Sequence, residues 1–349
     1  MGEMPKLRWA IAKRNGRSLP RQPMTFRHGH ACKRNYDETA TSFYTGRTSN
    51  HCTERARMKL SVLMAAALLT ATGAQAADTL AKVAASNKIT MAYRESSVPF
   101  SYLDGPTKPI GFSVELSYAI VAEVKRKLAK PDLEVAWMAV TSQNRIPLIQ
   151  NGTVDVECGS TTNNSTRGKD VSFAVNHFYT GTRLLTKIGS GVKNYADLKG
   201  KKVAITAGTT NMLVVRKYNE EKKLDIDILS AKDHADALLL VESDRATAFA
   251  MDDILLFGLR SNSKNPGELE VVGDALQVEP YACMLPKDDP QFKALVDGVI
   301  TGMMKSGEFE KLYNKWFLGP IPPKGLPIGL PMSQDLRDNI KTPSDKPAT

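Results

Sequence analysis

Short apolar runs alternate along the chain with longer segments in which apolar residues recur at helical spacing. The elements that this pattern predicts in the first half are strands at 89–93, 133–140 and 154–158, with helices at 111–130 and 144–151. A strand–helix–strand series of this kind is typical of a mostly parallel sheet flanked by helices.

The same pattern restarts after residue 187. The elements predicted there are strands at 202–206, 226–229 and 246–251, with helices from the 207–210 turn to about 222, at 232–243 and from 252 onward. Two successive α/β units of this size indicate two lobes, each built on a central, mostly parallel sheet with helices on its faces.

Extended segments at 181–183 and 277–279 are the candidates for two hinge crossovers between these lobes. The last helices, at 290–306 and 308–317, would then return to the first lobe, and the proline-rich segment 319–332 is predicted to run as an extended tail. We therefore expect lobe 1 to comprise 77–181 and 279–349, and lobe 2 to comprise 182–278.

A second feature precedes the first predicted strand. Lys59 is followed by an apolar run at 60–71 and by the small-x-small sequence 74–76. This order predicts a signal peptide at 58–76, cleaved between Ala76 and Ala77. The alternative is a buried helix. Because the residue after the cut is not a cysteine, we expect no lipid anchor, and export without an anchor predicts a periplasmic protein.

Residues 1–57 show no helical or strand periodicity and do not fit this export signal. Either the start has been placed too early and Met58 is the true first residue, or a disordered extension is present. Residues 1–76 hold 13 Lys+Arg and 4 Asp+Glu, which leaves 34 and 33 for the rest of the chain. The working protein is therefore close to neutral, and the overall charge of +10 gives no support to nucleic-acid binding.

After the predicted cleavage site the chain holds two cysteines, Cys158 and Cys283. In an oxidising compartment such a pair usually forms a disulfide, and the alternative is two buried free thiols. With no CxxC motif and no paired histidines in this part of the sequence, we expect no metal site.

The segment 141–173 is the richest in candidate chemistry. It places Arg145 and Arg167 among Ser, Thr and Asn, contains no histidine, and gives Ser160 no glycine at the spacing of a nucleophile elbow. Arginine offers five donors in a fixed fork that matches a carboxylate. The composition therefore favours holding a small anion over breaking a bond.

Longer motifs extend this interpretation. They are RESSVPFSY at 94–102, TSQNRIPL at 141–148, ECGSTTNN at 157–164, SAKDH at 230–234, AFAMDD at 248–253 and WFLGPIPPK at 316–324. With these runs the chain resembles the type II periplasmic solute-binding proteins of polar amino-acid ABC importers, and among them the glutamate/aspartate binders. The resemblance covers nearly all of 78–349 and implies two lobes that close around a ligand and then dock on a membrane permease.

The resemblance also implies a ligand set for an acidic amino acid. It assigns the side-chain carboxylate to Arg94, Ser142, Arg145, Ser160 and His234, the α-carboxylate to Thr162, Arg167 and Thr210, and the α-ammonium to Asp252. Four of these residues have simpler interpretations: Arg94 as a surface partner of Glu95, Ser142 as a helix cap, His234 as a partly exposed helix residue, and Asp252 as a cap in competition with Asp253.

We therefore expect a monomeric binding protein, without a cofactor, that captures L-glutamate or L-aspartate and delivers it to the transmembrane permease subunits. One alternative is a binder of another polar amino acid such as glutamine, which would need fewer positive groups. A second is a periplasmic dehydratase on the same fold, with His234 or Glu157 as its general acid.

Overall fold

The computed structural model describes residues 78–348. The predicted signal peptide at 58–76 and the segment 1–57 lie outside these residues. None of the helices within 78–348 is long and apolar enough to cross a membrane.

The first half of the described chain holds eight strands and three helices. The strands are β1 (Lys88–Tyr93), β2 (Ser96–Ser97), β3 (Ser101–Asp104), β4 (Lys108–Ile110), β5 (Glu134–Ala139), β6 (Val156–Glu157), β7 (Ser172–Phe173) and β8 (Phe178–Thr180). The helices are α1 (Thr79–Ser86), α2 (Phe112–Leu128) and α3 (Arg145–Gln150), with a 3₁₀ turn at Arg167–Lys169.

The second half continues the alternation. Its strands are β9 (Thr182–Lys187), β10 (Lys202–Thr206), β11 (Asp227–Ala231), β12 (Ala248–Asp252), β13 (Leu269–Val272), β14 (Glu279–Tyr281) and β15 (Met284–Leu285). Its helices are α4 (Thr210–Lys222), α5 (His234–Glu242), α6 (Asp253–Asn262), α7 (Pro290–Ser306), α8 (Glu308–Tyr313) and α9 (Gln334–Lys341). Short 3₁₀ turns lie at Tyr195–Leu198 and Pro266–Glu268, and a π turn lies at Asn314–Leu318.

Two five-stranded sheets organise these elements, in the orders β5-β1-β6-β15-β7 and β11-β10-β12-β9-β13. In the first, β1 pairs in parallel with β5 and β6, whereas β15 is antiparallel to β6 and β7. In the second, β10 pairs in parallel with β11 and β12, whereas β9 is antiparallel to β12 and β13. Four strands of each sheet thus run one way and one runs against them, which confirms the predicted α/β class.

The chain passes between the two sheets twice, through β8 on the way out and β14 on the way back. These two strands pair with each other in antiparallel fashion, with Glu279 opposite Thr180. They adjoin the segments 181–183 and 277–279 that the sequence indicated as crossovers. Each sheet's antiparallel strand, β9 or β15, begins just after the crossing.

Helix α2 shows how local sequence fixes the first sheet's packing. Its buried residues include Phe112, Leu116, Ile120 and Val124, which are spaced four apart and share one face. Gly111 precedes it at a φ of 134°, and a Cβ there would lie 2.3 Å from the Phe100 carbonyl oxygen. Only glycine allows this close approach of the helix start to the small β2–β3–β4 sheet.

An aromatic cluster anchors the crossovers to the C-terminal helices. The Phe178 ring of β8 stacks on Phe317 at 5.1 Å, and Tyr313 stacks on Phe317 at 4.2 Å. Phe100 meets Tyr281 of β14 edge to face at 5.2 Å. Stacked and edge-to-face aromatic pairs add to the stability that burial alone supplies, so both crossovers are held firmly at their first-sheet ends.

The chain after the π turn makes a turn at 322–325 closed by a bridge between Ile321 and Leu326, so the predicted extended segment 319–332 is interrupted, and it then forms α9, a helix that the pattern did not reveal. Leu336 of this helix is buried, and Asn339 Nδ2 donates to the Asn176 carbonyl at 2.6 Å. Beyond it, Ala348 N–H donates to the Asn163 carbonyl at 2.9 Å. The C-terminal segment therefore ends beside the loop that follows β6.

The predicted disulfide between Cys158 and Cys283 is confirmed, and the free-thiol alternative is wrong. Cys158 follows β6 and Cys283 precedes β15, and these strands are antiparallel neighbours with Met284 opposite Glu157. The bridge joins positions 125 residues apart and so ties the end of β6 to the chain that returns from the second sheet.

Replacing both cysteines with alanine should lower the free energy of unfolding by roughly 4–5 kcal/mol, because the bridge closes a long loop in the unfolded chain. Urea denaturation of the oxidised protein and of the Cys158→Ala/Cys283→Ala variant measures the difference. Equal midpoints and slopes for the two proteins would show that the bridge adds nothing to stability.

Candidate functional site

The nine residues that the sequence singled out as ligand contacts meet in one place, where the strands of both sheets end. Arg94 follows β1, Thr210 opens the helix after β10, and Asp252 ends β12. Ligands of open α/β sheets bind in this position, outside the carboxyl ends of parallel strands. All nine side chains are buried: Arg94, Ser142, Arg145, Ser160, Thr162, Arg167, Thr210, His234 and Asp252.

Seven of the nine line one small cavity, together with Thr209, Asn211, Met251 and Leu255. Arg94 and Arg167 lie just behind its wall. Because the first sheet and the second sheet both supply lining residues, the cavity is a cleft between two separately built walls.

Arg94 is fully buried, and it faces the opposite wall rather than solvent. Its Nη2 donates to Asp233 at 2.6 Å and lies 3.3 Å from Nε2 of His234. Glu95 is not its partner, so the surface-pair interpretation is wrong. Burial raises the pKa of Asp233, but the Arg94 guanidinium, together with His234 and Ser96 beside it, outweighs burial and lowers that pKa to about 2. The Asp233 carboxyl is therefore ionised.

His234 is also buried, which rules out the partly exposed helix residue. Burial, with the Arg94 charge beside it, lowers the pKa of His234 to about 3, so the ring is neutral. Arginine has no acceptor atom, so Nε2 accepts from Arg94 and the proton is on Nδ1, which donates to Thr206 Oγ1 at 2.9 Å. In this geometry His234 orients Arg94.

Arg145 stands out because its side chain makes no hydrogen bond to the described protein. Its Nε and Nη1 are buried without an acceptor, as are Nε and Nη1 of Arg94 and the hydroxyl of Ser142. Burial lowers the pKa of Arg145 to about 9, although Glu157 opposes this. Buried charged donors without a partner are costly, and they match an anion that arrives from solution.

Ser142 and Ser160 are neutral hydroxyls on the same wall. The residue at the start of α3 is Asn144, and Ser142 makes no capping bond, so the helix-cap interpretation is wrong. Ser160 donates to Ser97 Oγ at 3.1 Å. Both hydroxyls line the cavity beside Arg145.

Arg167 links the two walls at the other end of the cavity. Its Nη1 donates to the Thr162 carbonyl at 2.9 Å, and its Nη2 donates to the Gly208 carbonyl at 3.2 Å across the cleft. Gly208 has a φ of 76°, and a Cβ there would lie 2.6 Å from the Cα of Gln143. A glycine is therefore required for the walls to come this close.

Asp252 ends β12 with its carboxyl inside the cavity. Asn211 Nδ2 donates to its Oδ1 at 2.7 Å, and the Tyr281 hydroxyl donates to its Oδ2. Burial and the nearby Glu279 carboxylate raise the pKa of Asp252 to about 8. Asp253 instead accepts from the Thr180 hydroxyl at 2.7 Å and from the N–H of Ile254. Of the two aspartates, Asp252 at the strand end lines the cavity and Asp253 at the start of α6 does not.

Three buried residues of this end were missed by the sequence analysis as site residues: Asn211, Glu279 and Tyr281. Glu279 was seen only as part of an extended crossover, yet it is fully buried and accepts from Thr162 and Thr210. The signal available in the sequence was a charged residue within an extended crossover. The direction in which the Glu279 side chain points, however, is set by the pairing of β8 with β14.

The chain is similar in sequence to known binding proteins. The family model of bacterial extracellular solute-binding proteins, family 3, matches residues 89–319. The "Glutamate/aspartate import solute-binding protein" of Escherichia coli (strain K12) is 51% identical over 271 residues, covering 78% of this chain and 90% of that protein. The "L-glutamate/L-aspartate-binding protein" of Pseudomonas aeruginosa is 48% identical over 292 residues, covering 83% and 97%.

Among solved structures, the ancestral amino acid-binding protein AncCDT-1, a precursor of cyclohexadienyl dehydratase, superposes with a TM-score of 0.59 at 26% identity. The match covers 68% of this chain and 99% of that one. The architecture is therefore the two-lobe α/β fold of the amino-acid-binding proteins.

Two buried histidines, His177 and His234, make every variant gain stability up to about pH 6.5, because burial lowers their pKa values to about 4 and about 3. Asp252 should contribute the opposite change, a loss of stability as the pH rises from about 3.8 to about 8, because its folded carboxyl holds its proton in this range and the unfolded chain does not. Asp252→Asn should remove this loss, which amounts to at most about 1.4 kcal/mol per pH unit. Urea denaturation across that range measures both proteins. Asp253→Asn serves as the control, and parallel pH profiles for wild type and Asp252→Asn would contradict the expectation.

Proposed function

The chain belongs to the bacterial extracellular solute-binding proteins, family 3, and we propose that it captures L-glutamate or L-aspartate for the permease of an ABC importer. The observation that carries the proposal is the set of buried guanidinium donors on Arg94 and Arg145 that have no acceptor in the described protein. The names of its relatives in Escherichia coli and Pseudomonas aeruginosa point to the same ligands.

The cavity has two ends that suit the two ends of an acidic amino acid. Arg94 and Arg145, with the Ser142 and Ser160 hydroxyls, would hold the side-chain carboxylate. Charge-assisted hydrogen bonds of this kind contribute about 1.5–3 kcal/mol each. Glutamine would present a neutral amide and leave part of this positive charge without a counter-charge.

The opposite end would hold the α-carbon groups. Arg167 and the free backbone N–H groups at the start of α4, at Thr210, suit the α-carboxylate, since a helix N-terminus attracts anions. The buried carboxyl of Asp252 suits the α-ammonium. Thr162 lies between them on the first wall.

Ligand capture would be coupled to closure of the cleft. The lobes proposed for this motion are 77–181 with 279–349, and 182–278, hinged where β8 and β14 cross. A ligand can favour the closed form only by binding it better than the open one, so contacts from both lobes are required. The first lobe contributes Arg145 and its neighbours, and the second contributes Thr210 and Asp252.

The working protein would be a periplasmic monomer without a cofactor, exported by the signal peptide at 58–76 and released by cleavage. Its partners would be the transmembrane subunits of the importer. A family of extracellular solute-binding proteins requires export, and the signal peptide predicted from the sequence would supply it.

We assign no catalytic activity. The relatives with about half their residues identical are named for import and binding, not for a reaction. On the dehydratase alternative, His234 would have to donate a proton, but burial lowers its pKa to about 3 and its Nε2 accepts from Arg94. It is therefore a poor general acid at neutral pH.

Isothermal titration calorimetry should give L-glutamate and L-aspartate dissociation constants in the micromolar range or tighter, a binding free energy of about −8 kcal/mol or better. L-Glutamine should bind much more weakly, because its amide cannot neutralise Arg94 and Arg145. If glutamine binds as tightly as glutamate, the role proposed for the two arginines is wrong.

Arg145→Met should weaken glutamate binding by roughly 3 kcal/mol or more, since it leaves a desolvated carboxylate with too few donors. The same calorimetry measures the loss. Arg126→Met is the matched control, because Arg126 is exposed on α2 and bonds only to Glu123. Equal losses in both variants would point to a general effect of removing positive charge.

A further inference from the structure

Glu279 is a fully buried carboxylate that the ligand set above does not use. It begins β14, at the return crossover, and three neutral groups donate to it. Thr162 Oγ1 and Thr210 Oγ1 reach its Oε2 at 2.5 Å and 2.6 Å, and Gln277 Nε2 reaches its Oε1. One carboxylate oxygen thus joins a threonine from each wall of the cleft.

This arrangement fixes the direction in which the hydroxyl hydrogens of Thr162 and Thr210 point. A hydroxyl has a single hydrogen to donate and two lone pairs that accept, whereas an ionised carboxylate only accepts. Thr162 and Thr210 must therefore both point their hydrogens at Glu279. Their two oxygens lie 3.3 Å apart, and the remaining lone pairs are available to the cavity that both residues line.

The consequence is a reversal of the role that the resemblance implied for these two side chains. A hydroxyl whose hydrogen is bound to Glu279 cannot donate to an α-carboxylate, but it can accept from an ammonium. Binding of the α-carboxylate then falls to Arg167 and the backbone N–H groups of α4. The hydroxyls belong to the amino end of the ligand, together with Asp252.

Glu279 also adds negative charge at that end. Its field is one of the reasons, after burial, why the pKa of Asp252 rises to about 8. Asn211 and Tyr281 also face Asp252, and each donates a hydrogen bond to it. The charges of Glu279 and Asp252 both act to raise the pKa of Arg167, against burial, which lowers it. Asp253 makes a smaller contribution to the raised pKa of Asp252. An ammonium group is the ligand feature that relieves this concentration of acid.

We propose that Glu279 is a specificity-determining residue for the α-ammonium, because it turns the Thr162 and Thr210 hydroxyls into acceptors and adds a second carboxylate beside Asp252. The inference rests on the proposed function and deepens it. It makes the site selective for dicarboxylates that carry an amino group over those that lack one.

Glu279→Gln tests this with two ligands, L-glutamate and glutarate, which has the same five-carbon chain and two carboxylates but no ammonium. The amide keeps the shape and removes the charge. The dissociation constant for glutamate should rise about tenfold or more, the effect of losing roughly 1.4 kcal/mol. Glutarate should bind the variant more tightly than it binds wild type, since the variant lacks the negative charge of Glu279 that repels the glutarate carboxylate.

Calorimetry measures glutamate binding, and competition against bound glutamate measures glutarate binding. Glu221→Gln makes the same chemical change at the exposed end of α4 and should alter neither constant. If Glu279 had a purely structural role, the variant would bind both ligands more weakly by the same factor. That result, or an unchanged dissociation constant for glutamate, overturns the proposal. If wild type itself fails to bind glutamate, the proposed function fails instead.

A second variant keeps the test decisive if Glu279→Gln does not fold. Thr210→Val removes one hydroxyl and leaves Glu279 in place, with Thr210→Ser as the conservative control that retains the hydroxyl. If the hydroxyl accepts from the ammonium, Thr210→Val should bind glutamate more weakly than wild type does and bind glutarate with unchanged affinity. Equal weakening of both ligands would place the hydroxyl at a carboxylate and refute the inference.

Discussion

The site depends on one physical constraint: guanidinium groups taken out of water must find acceptors. Arg94 is given Asp233 and a neutral histidine, and Arg167 is given two backbone carbonyls. Arg145 is given none by the described protein. An unpaired buried charge costs several kcal/mol of folding free energy. The rest of the structure therefore has to hold Arg145 in place until a bound anion pairs with it.

That support comes from the way in which the two walls are brought together. Gly208 lets one wall approach Gln143 of the other, and Gly258 does the same beside Val98, where a Cβ would lie 2.3 Å from the carbonyl oxygen. The Cys158–Cys283 bridge secures the edge at which β14 returns. Glu279 and Tyr281 therefore contact the cavity-lining residues Thr162, Thr210 and Asp252 from a firmly anchored strand, although they belong to a crossover.

The sequence predicted the parts of this structure that repeat a simple period. Strand β10 and helix α7 lie where the apolar pattern placed them, because β10 is a short apolar run buried on both faces and α7 buries one face along its whole length. The two- to four-residue strands β2, β3 and β4 are too short to show a period. The partner of Arg94 could not be read from the chain either, since Asp233 is 139 positions away and the predicted neighbour was Glu95.

Charge shows most clearly what the three-dimensional arrangement adds. From the resemblance alone the site has three arginines and one aspartate, an excess of positive charge that would explain an acidic ligand by itself. The structure adds two buried carboxylates, Glu157 and Glu279, and the partly exposed Asp233. On the proposed assignment, net positive charge is therefore not the source of selectivity. Selectivity would come from the arrangement: guanidinium donors without acceptors lie on Arg94 and Arg145 at one end, and Asp252 and Glu279 lie at the other, so that a ligand needs a carboxylate at the first end and an ammonium at the second.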